Sequence, residues 1–420
     1  MRHLHYFDPQ LVDLGGHYHT YCEQVVREMK RRNVPATVYA RKGCQVTVAG
    51  QRPEQVFSHD IFTEMCRDDQ TWAMENFHNA NTAFMLDLCK ISPERFSADD
   101  VLFFPSLLQD QLHGIANWLG RLPEARRPAV VVLLRYLNHK MDYVLKRPNH
   151  DLVSLYYRFA ARALRTLQPR LVLATDTTEM ASAYHEITGL PVTELTIAME
   201  PPPSLGTPPP RAADGRPLVV FQGHTSKLKG FNLLPEIIER CLPLQPKPRF
   251  VVQLQNRQAA IKAGLSASVD RISRLAGPDV RVLNGSLNTA AYYQLLQEAD
   301  VVLLPYSPDF YGHCSSGIFA EAVAMGKVIV VPAGTVSARQ AKEYSAGVVC
   351  AEQFSAPALA AAVATAIAQL PALRAQAEAA APKFRQEQSV QTFWDRALAA
   401  VETAGTPSTA VPNAAAGVAA

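Results

Sequence analysis

From its first residues to about residue 400 the chain alternates short, unbroken apolar runs with stretches of helical periodicity. The runs fall at residues 4–7, 36–40, 101–104, 129–134, 171–174 and 193–197, with helix-like segments at 17–32, 106–119, 152–167 and 179–187 between them. Hydrophobicity that is continuous rather than alternating marks strands covered on both faces, as in a parallel sheet. The pattern breaks once, where residues 199–217 read MEPPPSLGTPPPRAADGRP. So much proline with so few apolar residues cannot form a packed element and predicts a linker. The alternation then resumes at 218–222, 250–254, 280–283, 301–304, 328–331 and 347–350.

The expected architecture is α/β, with two Rossmann-like, doubly wound domains facing each other across a cleft. The boundaries follow the pattern: residues 1–198 for the first domain, 199–217 for the linker and 218–385 for the second domain. A last helix over 386–404, anchored by Phe393 and Trp394, is expected to pack back towards the first domain. An Ala-rich tail over 405–420 is expected to be disordered. Residues 41–100 fit the alternation least and predict an extra hairpin and helices.

Composition narrows the class. A chain of 420 residues with 48% hydrophobic content can bury more than one core. A net charge of +3 is too small to suggest nucleic acid as a partner. Seven scattered cysteines without a CxxC pair predict reduced thiols and no zinc ribbon. Neither a signal core nor a run near the ~20 apolar residues of a bilayer span is present, and a cytoplasmic location is expected.

The most informative segment is VVLLPYSPDFYGHCSSGIFAEAVAMGKVIVVP, residues 301–332. An apolar strand leads through a small, polar loop into a helix beginning near Ser315, Ser316 and Gly317, with Glu321 on its early turns. A helix start at the carboxyl end of a parallel strand presents unpaired N–H groups to an anion, and Glu321 beside it can grip a sugar hydroxyl. A serine-capped helix with no ligand is the plainer alternative. The second signal is GHTSKLKG after residue 222. Gly223 permits close approach, Lys227 and Lys229 supply cations, and Gly230 is expected to open a helix; such a lysine suits a phosphate, though solvated surface lysines share the pattern.

On these residues the second domain resembles family 4 glycosyltransferases of GT-B fold. Gly223, His224, Lys229 and Gly230 stand in the spacing of that family's glycine, basic residue and Lys-Gly pair. Its two glutamates eight residues apart fall here on His313 and Glu321, followed by Gly326 and Pro332. Gly15 and Gly16 match its N-terminal glycine loop. The resemblance spans most of residues 1–403.

It implies a retaining, metal-independent transfer of a hexose-type sugar from a nucleotide-diphosphate donor to a glycan, lipid-linked or small-molecule acceptor. By resemblance Lys229 neutralises the diphosphate, assisted by amides at Ser316 and Gly317. Glu321 accepts from ribose hydroxyls, Gly15 and Gly16 let the first loop approach, and Arg135 occupies the place where the family often sets a histidine over the sugar. The resemblance thus makes Lys229, Arg135 and Glu321 catalytic candidates. The donor-binding candidates are Gly15, Gly16, Gly223, His224, Lys227, Lys229, His313, Ser315, Ser316, Gly317 and Glu321, with His17 set against the acceptor. No cofactor is implied beyond the nucleotide sugar, and the chain lacks any Asp-x-Asp pair for a divalent ion.

His224, His313 and Arg135 depart from the family pattern, and an arginine cannot serve as a base near neutral pH. Two other readings therefore stay open: a non-catalytic relative that binds a sugar or a partner, and a sugar-nucleotide epimerase or phosphorylase-like enzyme. His17 and His19 are poorly spaced for a shared metal on a helix. No GxGxxG follows the first strand, which weighs against NAD. Asp176, Thr177 and Thr178 are expected to cap the next helix. Arg27, Lys30, Arg31 and Arg32 end a helix as a solvated face or as a peripheral contact to anionic lipid at the inner membrane surface.

Overall fold

The computed structural model describes residues 1–14, 17–68, 70–136, 151–198, 200–201 and 214–405. The Gly15-Gly16 pair, most of the proline-rich segment and the tail beyond Gly405 lie outside the described residues. Two parallel sheets organise the chain. The first runs β3-β2-β1-β4-β5-β6-β7, with β1 Leu4–Asp8, β2 Ala36–Arg41, β3 Glu54–Phe57, β4 Val101–Phe104, β5 Ala129–Leu133, β6 Leu171–Thr175 and β7 Val192–Glu194. The second runs β10-β9-β8-β11-β12-β13, with β8 Leu218–Phe221, β9 Arg249–Leu254, β10 Val280–Asn284, β11 Val301–Leu303, β12 Val328–Pro332 and β13 Val348–Ala351.

Helices of two turns or more are numbered in chain order. The first lobe contributes α1 Tyr18–Arg31, α2 Trp72–Leu88, α3 Gln109–Leu119, α4 Asp151–Leu167 and α5 Thr178–Thr188. The second contributes α6 Leu234–Cys241, α7 Ser266–Leu275, α8 Thr289–Glu298, α9 Gly317–Ala324, α10 Val336–Glu343, α11 Ala356–Ala368 and α12 Leu370–Glu387, and α13 Val390–Gly405 ends the described chain. The central strands β1, β4, β5, β6 and β8 are buried along their whole length, which is why they read as unbroken apolar runs.

In both sheets the strand order reverses beside the first strand, between β1 and β4 and between β8 and β11. Loops leaving the carboxyl ends of those strands diverge there and leave a crevice, the usual ligand position in open α/β sheets.

Three local expectations need correction. The hairpin foreseen within 41–100 is instead the short parallel edge strand β3, and the one antiparallel pairing described there is a bridge between Val48 and Gln51. The helix after GHTSKLKG starts at Leu234 rather than at Gly230; Pro235 occupies its first turn, where its missing N–H is harmless. The final helical stretch is two helices, α12 and α13, separated at Gln388 and Ser389.

The lobes are joined in several places. α13 lies on β5 and β6 of the first lobe, and Phe103 meets Phe393 and Trp394 edge-on at 5.7 and 5.0 Å. Beside it, Gln388 Oε1 accepts from Ile197 N at 3.2 Å, and Glu200 Oε1 accepts from Val390 N at 2.8 Å. Across the cleft, Arg339 on α10 grips Glu179 on α5 through Nε and Nη2 at 2.6 and 2.9 Å. All seven cysteines are free thiols. Among the described residues no single helix is long and apolar enough to cross a membrane.

Candidate active site

The loop after β8 begins with Gly223 at φ +107°, a conformation that side-chain-bearing residues rarely adopt. A Cβ there would lie 2.5 Å from Ile318 Cδ1 on the first turn of α9 and 3.3 Å from Lys229 Nζ. Gly223 is thus where the lysine and the helix start converge. Gly230, at φ +68°, lies so close to the neighbouring β11 loop that a Cβ would fall 1.8 Å from the Pro305 carbonyl oxygen. That contact fixes the Lys229 backbone against the loop entering α9.

Lys229 Nζ lies 5.3 Å from the centre of the Tyr306 ring, a cation–π contact. Burial pushes its pKa down to about 8, and the nearby Glu321 carboxylate opposes that shift. Glu321, 4% exposed on α9, has its pKa pushed up to about 7 by burial, against hydrogen bonds from two phenols and the charge of Lys229. Tyr293 Oη donates to its Oε1 at 2.7 Å, and Tyr292 Oη donates to Oε2. Both tyrosines stand on α8, which Asn288 caps by accepting from Ala291 N at 2.9 Å.

α9 is capped by Ser316, whose Oγ accepts from Phe319 N at 3.2 Å. The N–H groups ahead of Phe319 have no intrahelical acceptor, so Gly317 and its neighbours aim positive dipole at the cleft. Ser315 Oγ instead reaches the other lobe and donates to Asp176 Oδ2 at 2.8 Å. Next to it Thr177 works twice: its Oγ1 accepts from Met180 N to cap α5 and donates to the His313 carbonyl at 2.6 Å. His313 is therefore held through its backbone.

Other candidates lie further out. His224 Nδ1 pairs with Gln255 Oε1 at 3.1 Å on the loop after β9. Gln253, on β9, ties two loops together, accepting from Gly223 N at 2.8 Å and donating to the Gly285 carbonyl at 3.1 Å. Lys227 is exposed, and its ammonium lies beside Gly264 rather than at the Gly223 convergence.

From the first lobe, Arg135 follows β5 and stacks over the Tyr21 ring at 4.4 Å, with Nε and Nη2 buried and not hydrogen-bonded. Asp176 Oδ1 is likewise buried without a hydrogen-bond partner. His17 stands at the start of α1 with its side chain reached by solvent, yet the protein crowded around it, together with the charges of Arg135 and Lys229, pushes its pKa down to about 4. His17 therefore senses cations from both lobes. His19 turns away, with Nε2 2.8 Å from the Thr47 carbonyl oxygen, so the two histidines do not share a ligand position.

Sequence reasoning did not single out Asp8, Tyr292, Tyr293 or Tyr306. Asp8 ends β1 fully buried, accepts from Gln10 N at 2.8 Å, and has its pKa pushed up to about 7 by burial, with Arg135 acting against the rise. Its signal was available: an acid terminating a buried apolar run. The basic end of α1 is largely consumed by ion pairs, Arg27 to Glu23, Arg31 and Arg32 to Glu28, and Arg32 to Asp395. Among the described residues no group of three or more His, Cys, Asp or Glu could hold a metal.

No family model and no curated protein matches this sequence. Solved structures do match in shape. HepE from Anabaena in complex with UDP superposes with a TM-score of 0.64 at 14% identity, covering 96% of this chain and 100% of its own. A UDP-forming α,α-trehalose-phosphate synthase from Burkholderia xenovorans gives 0.63 at 14%, covering 96% and 99%. Sucrose-phosphate synthase from Thermosynechococcus elongatus gives 0.62 at 11%, covering 96% and 98%. At these identities the likeness shows the fold: two Rossmann-like lobes in the GT-B arrangement.

Proposed function

We propose that the protein is a retaining, metal-independent glycosyltransferase moving a hexose-type sugar from a nucleotide-diphosphate donor to a glycan, lipid-linked or small-molecule acceptor in the cytoplasm. One observation carries this reading: Lys229 and the first turn of α9 meet at Gly223, beside the reversal of strand order in the second sheet. A departing nucleoside diphosphate gathers negative charge at such a spot. A pre-aimed ammonium and amide dipoles stabilise that charge more in the transition state than in the ground state. Lys229 and the Gly317 turn would take the diphosphate, and Glu321 the ribose. His17 and Arg135 would face the sugar and acceptor from the other lobe. The bond from the anomeric carbon to phosphate oxygen breaks as the acceptor oxygen bonds on the same face, and the leaving phosphate takes the acceptor's proton.

HepE in its UDP and UDP-glucose complexes and the UDP-forming synthase make uridine diphosphate the first nucleotide to test. The decisive experiment incubates the protein with UDP-, GDP- and ADP-sugars, with and without EDTA, and follows release of the nucleoside diphosphate and product stereochemistry by NMR. Release unaffected by EDTA, with a retained anomer, supports the proposal. An inverted anomer or loss of activity in EDTA overturns its finer claims, isomerisation without release points to an epimerase, and binding without turnover points to a non-catalytic relative.

A further inference from the structure

The Glu321 carboxylate is nearly sealed from solvent, and a tyrosine hydroxyl already occupies each of its oxygens. The two tyrosines are adjacent in sequence but not in circumstance. Tyr293 is 2% exposed, packed into the lobe with its ring edge-on to Tyr292 at 5.2 Å. Tyr292 is only half-buried, on the first turn of α8, where its backbone N–H bonds to the Asn288 carbonyl at 2.9 Å. Of the two, Tyr292 is the less buried.

We infer that Tyr292 is a specificity-determining residue that competes with the ribose for Glu321, while Tyr293 fixes the carboxylate for binding. The inference rests on the donor reading above, in which Glu321 receives ribose hydroxyls. A buried carboxylate is costly unless its oxygens are hydrogen-bonded, and Lys229 is the charged group acting on it from the β8 loop. Tyr292 meets that need in the same way as a ribose hydroxyl, by donating to Oε2. A ribose hydroxyl that approaches Oε2 from the Tyr292 side takes the phenol's place, and the nucleotide then gains only the difference between the two bonds. Tyr293, on the opposite oxygen, stays bonded throughout and holds the carboxylate plane in place.

The two Tyr→Phe substitutions then have opposite signs, which a purely structural role for both phenols would not produce. The test titrates UDP, GDP and ADP by calorimetry into the wild type, Tyr292→Phe and Tyr293→Phe, and repeats the tightest one as its 2′-deoxy form. Hydrogen bonds to charged groups are strong enough that Tyr292→Phe should bind about fivefold tighter or more, with a larger penalty for the 2′-deoxy nucleotide. Tyr293→Phe should bind about fivefold weaker or worse. Weaker or unchanged binding by Tyr292→Phe, with Tyr293→Phe moving the same way, overturns the inference and leaves the donor site intact. A wild type that binds none of the three overturns the donor reading itself, and this inference with it. Should Tyr292→Phe unfold, Tyr292→Leu and an unchanged far-ultraviolet spectrum carry the same comparison.

Discussion

Ser315 of the second lobe donates its hydroxyl to Asp176 of the first at 2.8 Å, so the turn that leads into α9 is held by a carboxylate from across the cleft. The contact lies one residue before the Ser316 cap. The approach to the amide turn is thereby tied directly to the other lobe. Asp176→Ala should lower kcat/KM by about tenfold to a hundredfold, the usual range for losing a charge-assisted bond, and should change the affinity for free nucleoside diphosphate by less than about threefold. Steady-state kinetics set beside calorimetry separates the two effects.

Arg339 and Glu179 form the outer clasp of the same cleft. Reversing one charge, Arg339→Glu, should open the lobes and raise the radius of gyration in solution scattering. The swapped pair Arg339→Glu with Glu179→Arg should restore it. Because both side chains are partly exposed, the opening should also grow with salt in the wild type.

The Lys229 ammonium ties affinity to pH in a direction opposite to stability. Its folded pKa of about 8 lies below the ordinary 10.5, so between those values the unfolded chain holds a proton that the folded protein has released, and stability rises with pH there. Diphosphate affinity needs the charged form and should fall about tenfold per pH unit above 8. Lys229→Met should abolish that slope and most of the affinity, and it should raise Tm at neutral pH by about 2–4 °C. Glu321 acts in a lower window. Its pKa of about 7 lies above the ordinary 4.5, so its contribution to stability is complete below 4.5 and is lost as pH rises to 7. Glu321→Gln should flatten thermal stability across that window.

Two glycines in the same loop should fail differently. Gly230→Ala drives a Cβ into a backbone carbonyl at 1.8 Å and should prevent the second lobe from folding. Gly223→Ala meets the end of a flexible isoleucine and the lysine, so it should leave a folded protein, destabilised by about 1–3 kcal/mol, with donor binding lost. Circular dichroism and nucleotide titration on both variants check the contrast.

The doubly wound architecture was legible because buried parallel strands announce themselves as apolar runs, as in Ala129–Leu133. The edge strand Glu54–Phe57 was not, since only Val56 and Phe57 are buried in it and four half-polar residues carry little signal. The break between α12 and α13 left a fainter mark: Ser389 caps α13 by accepting from Thr392 N at 3.0 Å, while Gln388 and Ser389 bond to Ile197 and Thr196 in the first lobe, partners that sequence does not reveal. Within the candidate site, Lys229, Ser316 and Glu321 stood out by residue type at strand ends. Tyr292 and Tyr293 did not, because two tyrosines on an amphipathic helix look like core, and their tie to Glu321 spans almost thirty positions. Gln253 was hidden in the same way, its role residing in two loops it joins.

Trp394 is wholly buried, and its ring lies edge-on to Phe103 of β4, so Trp394→Ala should cost about 3–5 kcal/mol, read as an early unfolding step of the amino-terminal half. The same packing sets an order on biosynthesis. A ribosome releases the first two hundred residues long before the helix that roofs β5 and β6 has been translated. The amino-terminal half must therefore wait, with a greasy flank uncovered, until Val390–Gly405 has been translated. Nascent chains stalled before residue 390 should be captured by chaperones and cut readily by protease in that half, whereas the later-made lobe, whose own strands and helices are by then complete, should already resist.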